Sequence, residues 1–145
     1  MGIGPKKRKP MQKSFNATLN ELHKMLGWVG ERLVNTSFSD IEKRRIQIAL
    51  EEGLVNIISY AYQGEIGKIS LLVEIVNQQF LEITIEDFGV AFNPLKHKKE
   101  VNPHAPIEDL EIGGLGIVFI EKIMDHVKYE RFEKKNRLIL RKNLP

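Results

Sequence analysis

Two polar residues one helical turn apart, Glu52 and Asn56, are the first candidates for chemistry in this 145-residue sequence. Residues four apart lie above one another on a helix, so both side chains would project from the same face. A carboxylate can accept a proton from a nucleophile, and an amide oxygen can ligate Mg²⁺ beside phosphate and water. The solvent side of an amphipathic helix would show the same pair, so the pair alone leaves both interpretations open.

A second candidate is Asp87, which stands with Gly89 where an alternating apolar segment stops. A carboxylate at a strand end can accept a hydrogen bond from an exocyclic amine, as adenine presents, and Gly89 would let the backbone pass close to a flat ring. Asp-x-Gly is also frequent in ordinary turns. Taken alone, the segment favours a turn.

A third candidate is the glycine-rich run at residues 113–116, which opens a predicted helix. Consecutive backbone N–H groups at a helix N-terminus, with no side chains in the way, form a cradle for an anion. A tight loop-to-helix turn explains the run equally well. The run comprises Gly113, Gly114, Leu115 and Gly116.

Composition narrows the class of protein. Apolar residues make up 42% of the chain and charged residues 28%, as in ordinary globular domains. No apolar run reaches the roughly 18 residues that span a bilayer, and the N-terminus has no secretory pattern. The absence of cysteine excludes disulfides, thiolate metal sites and a cysteine nucleophile. We therefore expect one cytoplasmic domain that does not contact a membrane.

The net charge of +3 comes from the N-terminus, since residues 1–13 contain basic residues and no acidic one. We expect residues 1–11 to form a flexible basic tail. Contact between this tail and nucleic acid or an acidic surface stays an alternative, although direct nucleic-acid binding is not expected. The basic residues are Lys6, Lys7, Arg8, Lys9 and Lys13.

Periodicity predicts the elements that position the candidates. Apolar residues three or four apart predict helices at 17–34, from about 40 to 62, and at 115–124. Asn16 or Thr18 would cap the first helix, with Glu21 three residues after Thr18 as in a capping box, and Ser39 or Asp40 would cap the second. Strict alternation predicts strands at 68–76 and 80–86, with Ile75 on the buried face, and the turn between them at 77–79.

The remaining strands are predicted at 12–16, 127–132 and 137–140, with a turn at 133–136 before the last. Residues 89–113 have no periodic pattern, and a loop of that length inside a compact domain is usually functional, often a lid. This order predicts an α+β two-layer sandwich, with helices on one face of a mostly antiparallel sheet.

In combination, the three candidates resemble the GHKL, or Bergerat, type of ATP-binding domain, also called the histidine-kinase-like ATPase. Its pattern is Glu-x-x-x-Asn on a helix, Asp-x-Gly after a hairpin, and a lid that ends in glycines on a helix. The sequences around these motifs are similar to those of the small bacterial anti-sigma factor serine kinases. The resemblance covers residues 12–142 and implies an ATPase domain at 12–145, with its ATP lid at about 89–113.

The resemblance implies a role for each candidate. Glu52 would be the general base, Asn56 the Mg²⁺ ligand and Asp87 the adenine-binding residue with Gly89 beside it. The residues at 113–116 would bind the phosphates of ATP. It further implies a homodimer that sequesters a sigma factor and phosphorylates a serine of a STAS-type anti-sigma factor antagonist.

Two departures from the family pattern keep an alternative open. Ile112 stands where some relatives have a basic residue, and Asn136-Arg137 stands where several have Gly-Thr. The alternative is a catalytically weak, ATP-gated protein-binding module. A histidine-kinase catalytic domain is less favoured, because the roughly 40 residues before the helix of Glu52 do not form a two-helix dimerisation hairpin with a phospho-acceptor histidine.

Overall fold

A computed structural model describes residues 11–62, 65–96 and 116–145. This part of the chain contains five strands, three α-helices and a short 3₁₀ turn at Pro94–Lys96. In chain order the elements are β1 Gln12–Asn16, α1 Leu19–Leu33, α2 Asp40–Tyr60, β2 Lys68–Val76, β3 Phe80–Asp87, α3 Gly116–Ile123, β4 His126–Phe132 and β5 Lys135–Asn143.

The strands form one antiparallel sheet in the order β1-β2-β3-β5-β4. Alternate residues of the inner strands are buried together with the apolar faces of the helices, because successive strand residues point to opposite faces. The predicted α+β sandwich is therefore confirmed. The inward strand residues include Ile69, Leu71, Leu81, Ile83, Ile85, Leu138 and Leu140.

The outer face of the sheet carries cross-strand ion pairs. Arg141 Nε lies 2.7 Å from Glu82 Oε2, and Arg137 lies 3.4 Å from both Glu86 and Glu130. Such half-exposed pairs contribute little stability, typically below about 1 kcal/mol each. They keep this face of the sheet polar.

Ile75 departs from the predicted burial. It lies in the same alternating row as Ile69 and Leu71, but 45% of it is exposed. Ile75 pairs with Leu81 next to the turn at 77–79, so it lies at the end of the hairpin. Alternation correctly predicts the face of a strand but not where the covering helices end.

The predicted capping box of α1 is wrong. Thr18 occupies the N-cap position but accepts no side-chain hydrogen bond, and the Glu21 side chain pairs with Lys24 at 3.3 Å instead. The prediction for α2 is confirmed at Ser39: its hydroxyl accepts from Glu42 N–H, and the Glu42 carboxylate accepts from Ser39 N–H.

The last hairpin differs from the prediction in a way that matters for the site. Its turn is only Glu133-Lys134, both in the left-handed conformation with φ of 48° and 64°. The strand β5 therefore begins at Lys135, and Asn136 lies inside the sheet, opposite Asp87 of β3. A turn that extended to Asn136 would have left this residue outside the sheet.

No helix among the described residues is long and apolar enough to cross a membrane. Residues 1–10 of the predicted basic tail and most of the predicted lid lie outside the described residues. Met11, the last residue of the predicted tail, is described, and its backbone oxygen accepts from Val73 N–H at 2.9 Å.

Candidate nucleotide site

The helix α2 positions Glu52 and Asn56 as the sequence predicts, on consecutive turns of one face. Glu52 is only 5% exposed, and Asn56 is partly buried. The solvent-side interpretation is therefore wrong for Glu52. The opposite side of α2 is buried as well, through Leu50 and Leu54, so this helix lies between the core and the site.

The Asn56 amide is oriented by its own helix. Its Nδ2 donates to the backbone oxygen of Glu52 at 2.8 Å, whereas Oδ1 has no hydrogen-bond partner within the described part of the chain. An amide oxygen held in this orientation is a suitable ligand for Mg²⁺. Residues 11–62, 65–96 and 116–145 contain no cluster of three acidic or histidine side chains that would bind a metal alone. A cation at Asn56 would thus take most of its ligands from phosphate and water.

Asp87 ends β3 on the helix-facing side and is 1% exposed. Its Oδ1 accepts hydrogen bonds from Gly89 N–H at 2.9 Å and from Asn136 Nδ2 at 2.8 Å. Within the described chain both bonds end on Oδ1, which leaves Oδ2 available to a further donor such as an exocyclic amine. Burial raises the pKa of Asp87 above 3.8, against the lowering effects of Asn136, Gly89 and the Arg131 cation.

Asn136, Tyr129 and Arg131 lie at the candidate site but were not among the site residues predicted from the sequence. All three lie on the helix-facing side at the end of the β4–β5 hairpin, and the two β4 residues bond to the Asn136 amide. The available signal was Asn136 itself, which departs from the family pattern, with Arg131 and Tyr129 five and seven residues before it in the same hairpin. Its partner Asp87 lies 49 residues away on β3, and that pairing cannot be predicted from local spacing.

The segment after β3 is bound directly to the end of α2. Val90 N–H donates to Ala61 O at 2.8 Å, and the Phe92 ring packs on Tyr60 with centroids 5.3 Å apart. Ala61 follows Asn56 by five residues, which is roughly 7.5 Å along a helix axis. The structure therefore brings the Asp87 segment next to the Glu52 and Asn56 face of α2.

Tyr62 also holds the segment after β3 in place through hydrogen bonds of its hydroxyl. Its hydroxyl accepts from Phe88 N–H at 2.9 Å and donates to Lys68 O. Burial is the main cause of a raised pKa for Tyr62, so the phenol stays protonated and able to donate at neutral pH. The phenol thereby joins β2 to the backbone beside Asp87.

The structure explains the glycine at position 89 differently from the sequence, which predicts that the backbone passes close to a flat ring. A Cβ at this position would lie 2.2 Å from the backbone oxygen of Ala61 and 2.9 Å from the Ala61 methyl group. The glycine therefore permits close approach between the Asp87 segment and α2. Its predicted proximity to a flat ring stays a prediction.

Most of the glycine-rich run falls beyond the described part of the chain. Gly113, Gly114 and Leu115 lie outside the described residues, and Gly116 is the first residue of α3. The predicted helix at 115–124 is confirmed over Gly116–Ile123, and its residues Ile117 and Ile120 are buried in the core.

Replacing Gly89 with alanine is expected to lower the free energy of unfolding by about 1–3 kcal/mol, the usual range for overpacking a rigid site. The Ala61 carbonyl cannot move without loosening the end of α2. Urea unfolding followed by circular dichroism measures the change.

Gly27→Ala is the matched control, because its Cβ would meet nothing within 4 Å. On this exposed helical turn alanine should be neutral or stabilising by up to about 1 kcal/mol. Equal stability of Gly89→Ala and the wild type would contradict the packing argument.

Comparison with known proteins identifies relatives of this chain. The chain is similar to a protein named serine-protein kinase RsbW from Bacillus thuringiensis (strain Al Hakam), with 33% identity over 95 residues. That match covers 63% of this chain and 58% of the relative. The protein of the same name from Listeria monocytogenes serotype 4a (strain HCC23) is 34% identical over 86 residues, which cover 57% of this chain and 55% of the relative. The matches thus span little more than half the length of these relatives.

The wider match is to a family model. The model described as the histidine kinase-like ATPase domain matches residues 15–142, from the end of β1 to the end of β5. That range contains α2 with its Glu52 and Asn56, the Asp87 segment and the β4–β5 hairpin that contacts it. This chain belongs to the histidine kinase-like ATPase domain family.

Proposed function

We propose that this protein is an ATP-dependent serine-protein kinase and anti-sigma factor. It binds ATP with Mg²⁺, sequesters a sigma factor, and phosphorylates a serine of a STAS-type anti-sigma factor antagonist. Membership of an ATPase family supports the use of ATP. The names of the relatives, serine-protein kinases, support the reaction and its class of acceptor.

One observation carries the proposal. The buried Glu52 carboxylate lies one turn from the Asn56 amide, and the same helix ends against the segment of Asp87. Burying a carboxylate costs free energy, so an apolar residue would stabilise the fold better at this position if the role of Glu52 were only structural. A role in proton transfer gives a reason for a carboxylate at this place.

In the proposed reaction the serine oxygen of the acceptor forms a bond to the γ-phosphorus of ATP. The bond from that phosphorus to the β–γ bridging oxygen breaks, and ADP leaves with the electron pair. Glu52 accepts the proton of the serine hydroxyl. Catalysis of this kind is mostly positioning and charge stabilisation, so a single carboxylate that orients the hydroxyl is sufficient.

The remaining roles follow the family resemblance. Asp87 Oδ2 would accept a hydrogen bond from the exocyclic amine of adenine, and Asn56 Oδ1 would ligate Mg²⁺. When bound, Mg²⁺ neutralises negative charge on the phosphates of ATP. Gly89 supports the adenine side by closing the Asp87 segment onto α2. The phosphates are assigned to Gly113, Gly114, Leu115 and Gly116.

The proposed assembly is a homodimer that binds either the sigma factor or the antagonist. Its activity would take place in the cytoplasm, where sigma factors act. Phosphorylation of the antagonist would end its binding, because a phosphoserine carries nearly two negative charges into the contact.

Incubation of the purified protein with γ-labelled ATP, Mg²⁺ and a STAS-type antagonist from the same organism tests the kinase reaction. We expect label on the antagonist, lost when its acceptor serine is replaced by alanine. Nucleotide binding without any phosphoserine would instead support an ATP-gated binding module, which the departures at Ile112 and Asn136 motivate. The intact hydrogen bonding of Asn136 to Asp87 argues against the second departure as a defect.

Replacing Asn56 with alanine is expected to remove the effect of Mg²⁺ on ATP binding. The wild type should bind ATP at least about tenfold more tightly with Mg²⁺ than with a chelator, a difference of about 1.4 kcal/mol. Isothermal titration calorimetry under both conditions measures this difference. Asn20→Ala, on the exposed side of α1, should behave as the wild type. A full Mg²⁺ effect in Asn56→Ala would reject Asn56 as the ligand.

A further inference from the structure

Asn136 is a buried amide in β5, on the side of the sheet that faces the helices. It is 3% exposed and lies directly opposite Asp87 in the β3–β5 register. An amide in such a place is costly unless its hydrogen bonds are made. The neighbours of Asn136 inside β5, Leu138 and Leu140, are buried apolar residues and show what packing alone would favour.

The donors of the Asn136 amide bind two neighbouring segments. One N–H of Nδ2 reaches Asp87 Oδ1 at 2.8 Å, and the other reaches Val90 O at 2.7 Å. Both hydrogens of the amide are therefore used. The same side chain thus holds the carboxylate and the backbone that follows it.

The oxygen of the amide is held just as firmly. Oδ1 accepts from the Tyr129 hydroxyl, from Arg131 Nη1 at 3.2 Å and from Phe92 N–H at 3.2 Å. Arg131 Nη1 also donates to Gly89 O at 2.8 Å. Three donors on the oxygen allow only one orientation of the amide, with Nδ2 toward Asp87.

This arrangement decides which oxygen of Asp87 is available. Asn136 and Gly89 N–H both donate to Oδ1, so the carboxylate cannot rotate without losing two hydrogen bonds. Its Oδ2 is left as a pure acceptor. A purine with an amine at C6 offers that acceptor a donor, whereas a purine with a carbonyl at C6 offers it another acceptor.

We infer that Asn136 is a positioning residue that sets the Asp87 carboxylate to select 6-amino purines over 6-oxo purines. Tyr129 and Arg131 support it by fixing the orientation of its amide. The inference rests on the proposed function, since it deepens the base-binding role assigned to Asp87. Asn136 acts through Asp87 and needs no contact with the nucleotide itself.

The test compares ATP with inosine triphosphate, which carries a carbonyl in place of the C6 amine. The dissociation constants of both Mg²⁺ complexes are measured by calorimetry for the wild type and for Asn136→Leu. We expect the wild type to prefer ATP at least about tenfold, and Asn136→Leu to lose most of that preference. Asn143→Leu, at an exposed position of the same strand, is the matched control and should keep the preference.

A pH series supplies a readout that a purely structural role would not move. The hydrogen bond from Asn136 lowers the pKa of Asp87. Its removal should therefore shift the acid limb of ATP affinity to higher pH. A general loosening of the domain would weaken ATP and inosine triphosphate equally and leave the position of this limb unchanged.

Each remaining outcome decides the matter. If Asn136→Leu does not fold, Tyr129→Phe, which removes a single donor to the Asn136 oxygen, should give a smaller loss of preference in the same direction. An unchanged preference and pH profile in the folded variant would overturn the inference alone, as would equal binding of both nucleotides by the wild type. A wild type that binds no ATP would overturn the proposed function together with it.

Discussion

Serine phosphorylation by Glu52→Gln is expected to be slower than by the wild type by roughly 10²- to 10⁴-fold, the usual contribution of a general base. Glutamine keeps the shape of the side chain and its capacity to accept a hydrogen bond, but it cannot take the proton of the serine. ATP affinity should stay within about threefold, which is less than 1 kcal/mol. This separation is expected because a base that acts on the acceptor hydroxyl would not hold the nucleotide.

The adjacent Glu51 offers a close control for this prediction. It is a carboxylate on the same turn of α2, but it points away from the Asn56 side and is less buried than Glu52. Glu51→Gln should phosphorylate the antagonist at the wild-type rate. Single-turnover transfer of label from ATP, together with calorimetric ATP titration, measures both quantities. Equal rates for Glu52→Gln and the wild type would remove Glu52 from the mechanism.

Replacing Asp87 with asparagine is expected to weaken ATP binding by roughly 10- to 150-fold, since hydrogen bonds to charged groups contribute about 1.5–3 kcal/mol. The amide oxygen of the substituted side chain can still accept from Asn136 and Gly89 N–H. Its NH₂ then occupies the place of Oδ2 and opposes the amine of adenine with another donor. Asp40→Asn, at the exposed start of α2, is the matched control and should bind ATP normally.

The pH dependence of binding follows from the same carboxylate. Burial raises the pKa of Asp87, so the acceptor is protonated on acidification at a higher pH than an exposed aspartate would be. ATP affinity of the wild type should therefore fall as the pH is lowered through that raised pKa. Asp87→Asn should lack this acid limb. An identical pH profile in the variant would show that Asp87 does not control base binding.

Stability should respond to Asp87→Asn in the opposite direction from binding. A carboxyl with a raised pKa in the folded state contributes stability when protonated, and this contribution is lost as the pH rises through the folded pKa. At neutral pH the ionised Asp87 is therefore a cost to the fold. Thermal unfolding without nucleotide should show the variant at least as stable as the wild type, which separates loss of binding from loss of folding.

The sequence alone was sufficient for the layers of the fold. Alternation in β2 and β3 has a period of two, and apolar spacing in α1 and α2 has a period near 3.6, so each pattern reports the face that is buried. The side chains of Glu52 and Asn56 lie on one helix, and their relative placement follows from helix geometry. For the same reason their position was predictable before any tertiary contact was known.

Local patterns were less reliable where an interaction depended on competing partners. Thr18 and Glu21 have the spacing of a capping box, yet Glu21 pairs with Lys24 and the Thr18 side chain caps nothing. Ile75 follows the apolar alternation but lies at the end of the hairpin and is largely exposed. Spacing defines which contacts are possible, whereas the surrounding structure decides which are made.

The sequence by itself determined the sheet, the helices and the residue types offered to the site. Only the tertiary structure decided how those residues act together. The short Glu133-Lys134 turn places Asn136 opposite Asp87, 49 residues away, and the close contact with Ala61 gives Gly89 its reason. The physical cause is that periodicity reports which face of an element is buried, whereas strand register decides which distant side chain lies beside it.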